Sequence, residues 1–160
     1  MATTHVQLEE FYLRGLHLDW QDSPSGKSSR VMGTSFNYQV ARAREDPKRF
    51  RLELEVRIAP EEKRAAGYVG EAKITGFFSF PEGMSEPQMQ YLARVNGCTI
   101  LYGMLRGLIA TCSGCFQGGR LNLPTVLFSE IVADIEKKRA SLFKKSSVQR
   151  KGKKPKQVTH

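Results

Sequence analysis

The sequence predicts an α+β fold: a four-stranded antiparallel sheet, then a long helix and a shorter C-terminal helix. Three observations predict it. Apolar residues alternate with polar ones, with period two, through most of the chain up to Phe80. Short polar turn segments separate the alternating stretches, and after Pro81 the apolar spacing changes to that of a helix. Strand, short turn, strand in this order gives an antiparallel sheet with one polar face.

The first stretch, Gln7 to Trp20, places Leu8, Phe11 and Leu13 and then Leu16, Leu18 and Trp20 in alternating positions. The change of phase between Leu13 and Leu16, beside Gly15, predicts a bulge in a long strand. Asp22-Ser23-Pro24-Ser25-Gly26 is turn chemistry and ends it. In the second strand Phe36, Tyr38, Val40 and Arg42 alternate with Ser35, Asn37, Gln39 and Ala41. After the polar turn Glu45 to Lys48, Phe50, Leu52, Leu54, Val56 and Ile58 interleave with Arg51, Glu53, Glu55 and Arg57. This is the strictest alternation in the chain. Pro60 to Lys63 turns again, and Gly67 to Phe80 supplies the fourth strand.

Ser85-Glu86-Pro87-Gln88 reads as a helix start, with Ser85 as N-cap, Pro87 in the first turn and Gln88 bonding back. Met89, Leu92, Ala93 and Val95 follow at helical spacing, and Gly97 marks an expected kink. Ile100, Leu101, Met104, Leu105, Leu108, Ile109 and Cys112 then form a broad apolar face. Gly103 and Gly107, one turn apart, allow close approach of another backbone. Ser113 to Pro124 is a glycine-rich loop, and a last helix is expected from near Thr125, with Leu127 or Phe128, Ile131, Val132 and Ile135 on its apolar face. From Ser146 onward only Val148 and Val158 are apolar, so residues 1–145 are read as the domain and 146–160 as a basic, disordered tail.

The formal net charge of +9 belongs to the end of the chain. From Lys137 to His160 there are ten bases and no acid, which leaves 15 bases against 16 acids in the preceding residues. Such an arm suits phosphates, acidic surfaces or acidic polypeptide segments, although no aromatic residue follows Phe143 for base stacking. No apolar run approaches the roughly 20 residues of a membrane-spanning helix. The first ten residues lack the basic-then-apolar order of a signal peptide. A cytoplasmic location is the expectation.

Cys98, Cys112 and Cys115 are too few for a disulfide framework. Cys112 and Cys115 make a CxxC pair, but a zinc site needs two more ligands, and His5, His17 and His160 are scattered. The pair also falls at the end of a helical pattern, where a thioredoxin-like site requires the start. No nucleophile, zinc-hydrolase, phosphate-loop or dinucleotide motif is present. The sequence therefore predicts a protein that is not an enzyme and needs no metal or cofactor.

Several segments together resemble the SecB export-chaperone family. Cys98-Thr-Ile-Leu-Tyr, Arg106-Gly-Leu-Ile and Leu121-Asn122-Leu123-Pro124, with Val126 and Phe128, are similar to its helical half. Gly76-Phe77-Phe78-Ser79-Phe80 is similar to a strand end, and Phe11-Tyr12-Leu13-Arg14 to Asp19 to the first strand. The resemblance runs from about Phe11 to Ile135. It implies a homotetramer, a dimer of dimers with long helices packed between two sheets, that holds unfolded polypeptide clients without ATP. On that basis Phe50, Val69, Phe77, Phe78, Leu121, Leu123 and Phe128 are the expected client-binding positions, with Trp20, Phe36 and Tyr38 as additions. Leu101, Gly103, Leu105, Gly107 and Leu108 are the expected oligomer interface. Gly15 and Ala72 stand where the family carries acids, Thr99 and Gly103 where it carries prolines, and the tail has the opposite charge. These departures put docking of the SecA motor in doubt. The family's chaperones of antitoxins in toxin–antitoxin systems are the alternative form, and a basic-tailed nucleic-acid-binding protein is the rival from another class.

Overall fold

Strict alternation becomes four strands: β1 (Gln7–Gln21), β2 (Met32–Arg42), β3 (Arg49–Pro60) and β4 (Gly67–Ser79). In this computed structural model residues 6–27, 32–62 and 64–151 are described, with side chains as far as 142. The strands are antiparallel in the order β1-β4-β3-β2, so the first two strands of the chain are the two edges of the sheet. Register puts the apolar rows in line. Leu54 lies opposite Tyr38 on one side and Ile74 on the other, and Ile74 lies opposite Leu13.

β1 carries register shifts between Leu8 and Glu10 and between Leu13 and Gly15. The second is the predicted bulge. The first falls in the gap between Leu8 and Phe11, which is the same odd spacing as that between Leu13 and Leu16. Each shift keeps the apolar row on one face, because a one-residue slip would otherwise move it to the other.

The outer face of the sheet carries charge in alternating sign. Glu55 lies 2.8 Å from Arg57 and 3.8 Å from Lys73, and Glu71 lies 3.6 Å from each of the same two bases. Arg51 pairs with Glu53 at 3.1 Å. Exposed pairs of this kind contribute about 0–1 kcal/mol each, so they set solubility and register more than stability.

The stability comes from the inner face. Helix α1 (Glu86–Ser113) packs on β3, β4 and β2. It buries Leu52, Leu54, Val56 and Ile58 of β3 and Ala72, Ile74 and Phe78 of β4 beneath its own Ala93, Cys98, Leu101, Leu105 and Ile109. A fully buried aliphatic or aromatic side chain of this size contributes about 1.5–3 kcal/mol. The helix starts as the sequence predicts: Gln88 Oε1 accepts from the Ser85 amide at 3.3 Å and from Ser85 Oγ at 3.0 Å. It runs as one element through Gly97, so the chain does not break there. Gly97 has a packing role instead, since a Cβ there would lie 2.7 Å from Leu52 Cδ2. The missing side chain lets the helix sit down on β3.

Helix α2 spans Phe128–Lys151 and begins three residues later than the sequence suggests. Residues 120–127 form neither helix nor strand: α1 side chains bind the carbonyls of Leu123 and Pro124, and Pro124 opposes an early helical turn. α2 runs past Ser146; residues 152–160 of the expected tail lie outside the described residues. The chain divides into two compact units, Met1–Phe128 and Ser129–His160. Among the described residues no helix is long and apolar enough to cross a membrane.

Candidate functional site

The inner face of β1 continues the apolar row of β3 and β4, but α1 packs chiefly on β2, β3 and β4 and leaves the middle of β1 open, while Leu18 nearer its end is buried. Phe11 is 49% and Leu13 41% exposed, and Leu8 and Leu16 are half-buried. β1 is also an edge strand, so one side of its backbone has no strand partner among the described residues. Unpaired backbone beside exposed apolar side chains is a template for a further polypeptide segment.

A second surface forms where the chain leaves α1. Ser113 is fully buried; its Oγ accepts the Leu121 amide at 2.7 Å and its carbonyl accepts the Tyr68 hydroxyl at 3.2 Å. The Tyr68 hydroxyl also donates to the Gly119 carbonyl. Further along, Arg106 Nε donates to the Leu123 carbonyl at 3.1 Å, and the Tyr102 hydroxyl to the Pro124 carbonyl at 2.8 Å. These bonds strap the loop 120–127 along the helix and leave alternate residues facing outward. Leu121 and Leu123 are buried, while Asn122, Pro124 and Leu127 are exposed. A cleft of about 270 Å³ lies between loop and helix, lined by Gly103, Arg106, Gly107, Ala110, Arg120, Asn122 and Leu123.

Aromatic rings hold both ends of the strap. Phe36, Tyr102 and Phe128 form an edge-to-face trio with centroids 5.3–5.5 Å apart. At the other end Trp20 stands edge-on to Tyr68 at 5.2 Å, and Phe116 lies 6.0 Å from Tyr68. Gly118 passes under the indole so closely that a Cβ there would lie 2.0 Å from Trp20 Cζ3. Burial raises the pKa of Tyr68 and of Tyr102, the latter against the lowering influence of Arg106. Both hydroxyls therefore remain donors.

The positions singled out from the sequence do not converge on one groove. Phe50 and Phe78 are buried in the sheet core, so neither offers surface to a client in this conformation. Val69 and Phe77 are half-buried on the outer face of the sheet, where Phe77 meets Tyr12 at 6.1 Å and the Arg49 guanidinium lies over its ring at 5.4 Å. Leu121, Leu123 and Phe128 lie beneath and at the end of the strap. Trp20 and Phe36 flank it, and Tyr38 is buried. Among the interface positions, Leu101 and Leu105 are core residues. Gly103, Gly107 and Leu108 are exposed along one side of α1, and a Cβ on either glycine would meet nothing within 4 Å in this chain. Sequence reasoning missed the strapping side chains Tyr68, Tyr102, Arg106 and Ser113. Their signal is a polar group amid an apolar periodicity, which becomes readable only when the loop carbonyls are seen to need donors.

The chain matches no protein-family model and no curated protein. Among solved structures it is similar to the SecB-like chaperone of Mycobacterium tuberculosis in complex with a ChAD peptide from an antitoxin. That match has a TM-score of 0.58 and 14% sequence identity and covers 76% of this chain and 90% of that one. A Streptococcus agalactiae protein of unknown function matches with a TM-score of 0.45 and 14% identity, over 78% of this chain and 100% of that one. At this identity the likeness is one of fold, and the fold of this chain is the SecB-like α+β fold.

Proposed function

We propose that the chain is a non-enzymatic holdase chaperone that binds non-native polypeptide segments without nucleotide, metal or cofactor. One observation carries the reading: the unit leaves large apolar side chains open to solvent, three of them in succession on the edge strand β1. Phe11, Tyr12, Leu13, Tyr91, Leu108, Phe116 and Leu127 are each at least 36% exposed. The SecB-like fold supports it, and the solved relative binds an antitoxin peptide. Unfolded chains present the apolar and backbone groups that such surface takes; native proteins have buried theirs.

The open surface divides between two uses. The free edge and inner face of β1, with the Gly103, Gly107 and Leu108 side of α1, serve self-association into a dimer of dimers. The strap region around Phe116 and Leu127 serves clients. The balanced charges of Glu55, Glu71, Arg57 and Lys73 disfavour docking of a SecA-type motor on the outer face. The antitoxin peptide bound by the solved neighbour supports a dedicated antitoxin client as the second reading beside general holding. The place of action is the cytoplasm, and the basic end of the chain makes a secondary, salt-sensitive contact with anionic partners.

The test is aggregation of several unrelated unfolded proteins with and without the purified chain. Suppression without nucleotide, and no binding of the same proteins in native form, is the expected result. Suppression of none, with binding of one antitoxin, would replace the general reading by the dedicated one; suppression and binding of none would overturn both. Light scattering that shows only monomer at micromolar concentration would overturn the assembly.

A further inference from the structure

Cys112 lies half-buried in the last turn of α1, and Cys115, just beyond the helix, is exposed. From Thr111 to Gly119 the chain closes tighter, three-residue turns. The amides of Gly114, Cys115, Phe116 and Gly119 donate to the carbonyls of Thr111 (3.3 Å), Cys112 (3.5 Å), Ser113 (3.0 Å) and Phe116 (2.9 Å). In such a turn the side chains of residues three apart eclipse, and their Cα atoms are separated by a rise of about 6 Å. That separation is within the span of a disulfide. The turn is also anchored from within, because the carbonyl and hydroxyl of Ser113 are bound by Tyr68 and by the Leu121 amide.

We propose that Cys112 and Cys115 form a reversible disulfide, a staple that fixes the end of α1 to the turn from which the loop 120–127 departs. The staple is independent of the holdase reading. The oxidant is a low-molecular-weight disulfide such as oxidised glutathione. The exposed Cys115 thiolate attacks one of its sulfurs, the glutathione S–S bond breaks, and one glutathione thiolate leaves. The Cys112 thiolate then attacks Cys115 Sγ, the mixed disulfide breaks, and the second glutathione leaves. The two protons lost by the protein thiols go to the two released glutathiones, so protein dithiol and one glutathione disulfide give protein disulfide and two glutathione thiols. The pair sits at the C-terminal end of its helix, so it stores the redox state of its surroundings and is not placed as an oxidoreductase centre. Cys98 takes no part, because it is fully buried and burial pushes its thiol up to about 12.

The full chain is equilibrated in glutathione buffers of graded ratio, alkylated under denaturing conditions and digested for mass spectrometry. The expected product has lost two hydrogens in the peptide holding Cys112 and Cys115, with Cys98 alkylated throughout and a higher melting temperature in the oxidised form. Cys112→Ser should abolish the internal bridge and leave glutathione attached to Cys115, while Cys98→Ala should leave the bridge intact. A bridge between two chains, stable glutathione adducts on both cysteines of the parent, or free thiols across the whole range of ratios would each overturn the proposal.

Discussion

β3 and β1 have the same kind of sequence and different fates. Both alternate large apolar residues with polar ones, and both present the apolar row to the same side of one sheet. Along β3 the row Leu52, Leu54, Val56 and Ile58 is at most 2% exposed; along β1, Phe11 and Leu13 stay open. The difference lies outside both strands, in the path of α1 over β2, β3 and β4. Alternation fixes which face of a strand is apolar, but a face becomes core only where a second layer covers it.

The sharpest way to break this comparison is to truncate one residue in each row. Leu54→Ala should destabilise the chain by about 2–5 kcal/mol, because it removes buried contacts and leaves a cavity. Leu13→Ala should change the stability of a dissociated chain by less than about 0.5 kcal/mol, as surface substitutions do. Its effect should appear in assembly, as a higher concentration needed for the oligomer seen by light scattering. Denaturant unfolding at low concentration separates the two. Equal losses in both variants would mean that β1 is core and that its exposed face is no interface.

A smaller effect tests whether the strap is packed like the core or lies loosely like the β1 row. Gly118→Ala places a methyl group against the rigid Trp20 indole, and overpacking of this kind costs about 1–3 kcal/mol. The Trp20 fluorescence should shift with it. An unchanged melting temperature would show that the loop does not rest under the indole.

Cys98 offers a test by pH. Burial raises its thiol from 9.0 to about 12. Because the folded value is the higher one, the contribution to stability is complete below pH 9 and is lost as pH rises toward 12. Alkaline unfolding followed by circular dichroism should therefore fall less steeply over that interval for Cys98→Ala than for the parent, whatever the variant's stability at neutral pH. Parallel curves would mean that the sulfur meets solvent.

How much of this was legible in the sequence follows the same division. Strands, capping residues and the bulge beside Gly15 are local, and alternation or spacing carried them. The order of the strands is not local: nothing in Leu8 to Trp20 says that β1 lies beside β4 and opposite β2 across the sheet. Gly97 shows the same limit. A glycine within a helix signals weakness when only propensity is counted, yet here it is the place where Leu52 needs room. The candidate client positions divided because the resemblance supplied residues one at a time, without the layer that covers Phe50 and Phe78. The bonds from Tyr68, Tyr102, Arg106 and Ser113 to loop backbone join residues up to 51 apart in the chain, beyond the reach of any periodicity.

The smallest expected effect concerns the outer face, where charge replaces apolar surface in the alternation. Glu71 lies 3.6 Å from both Arg57 and Lys73, and all three side chains are more than a third exposed. Water and salt screen such pairs, and holding long side chains in place costs entropy. Glu71→Gln should therefore change stability by only about 0–1 kcal/mol, and the change should shrink with added salt. Glu55 is the control, since it is the more buried acid and touches the same two bases. Glu55→Gln should cost more than Glu71→Gln, because it leaves Arg57 and Lys73 beside each other with less compensating charge in a drier place. A double-mutant cycle over Glu55 and Lys73 would isolate their coupling. If Glu71→Gln proves as costly as Leu54→Ala, the outer face is covered in the assembled protein, and the division of the sheet into one buried side and one solvated side is wrong.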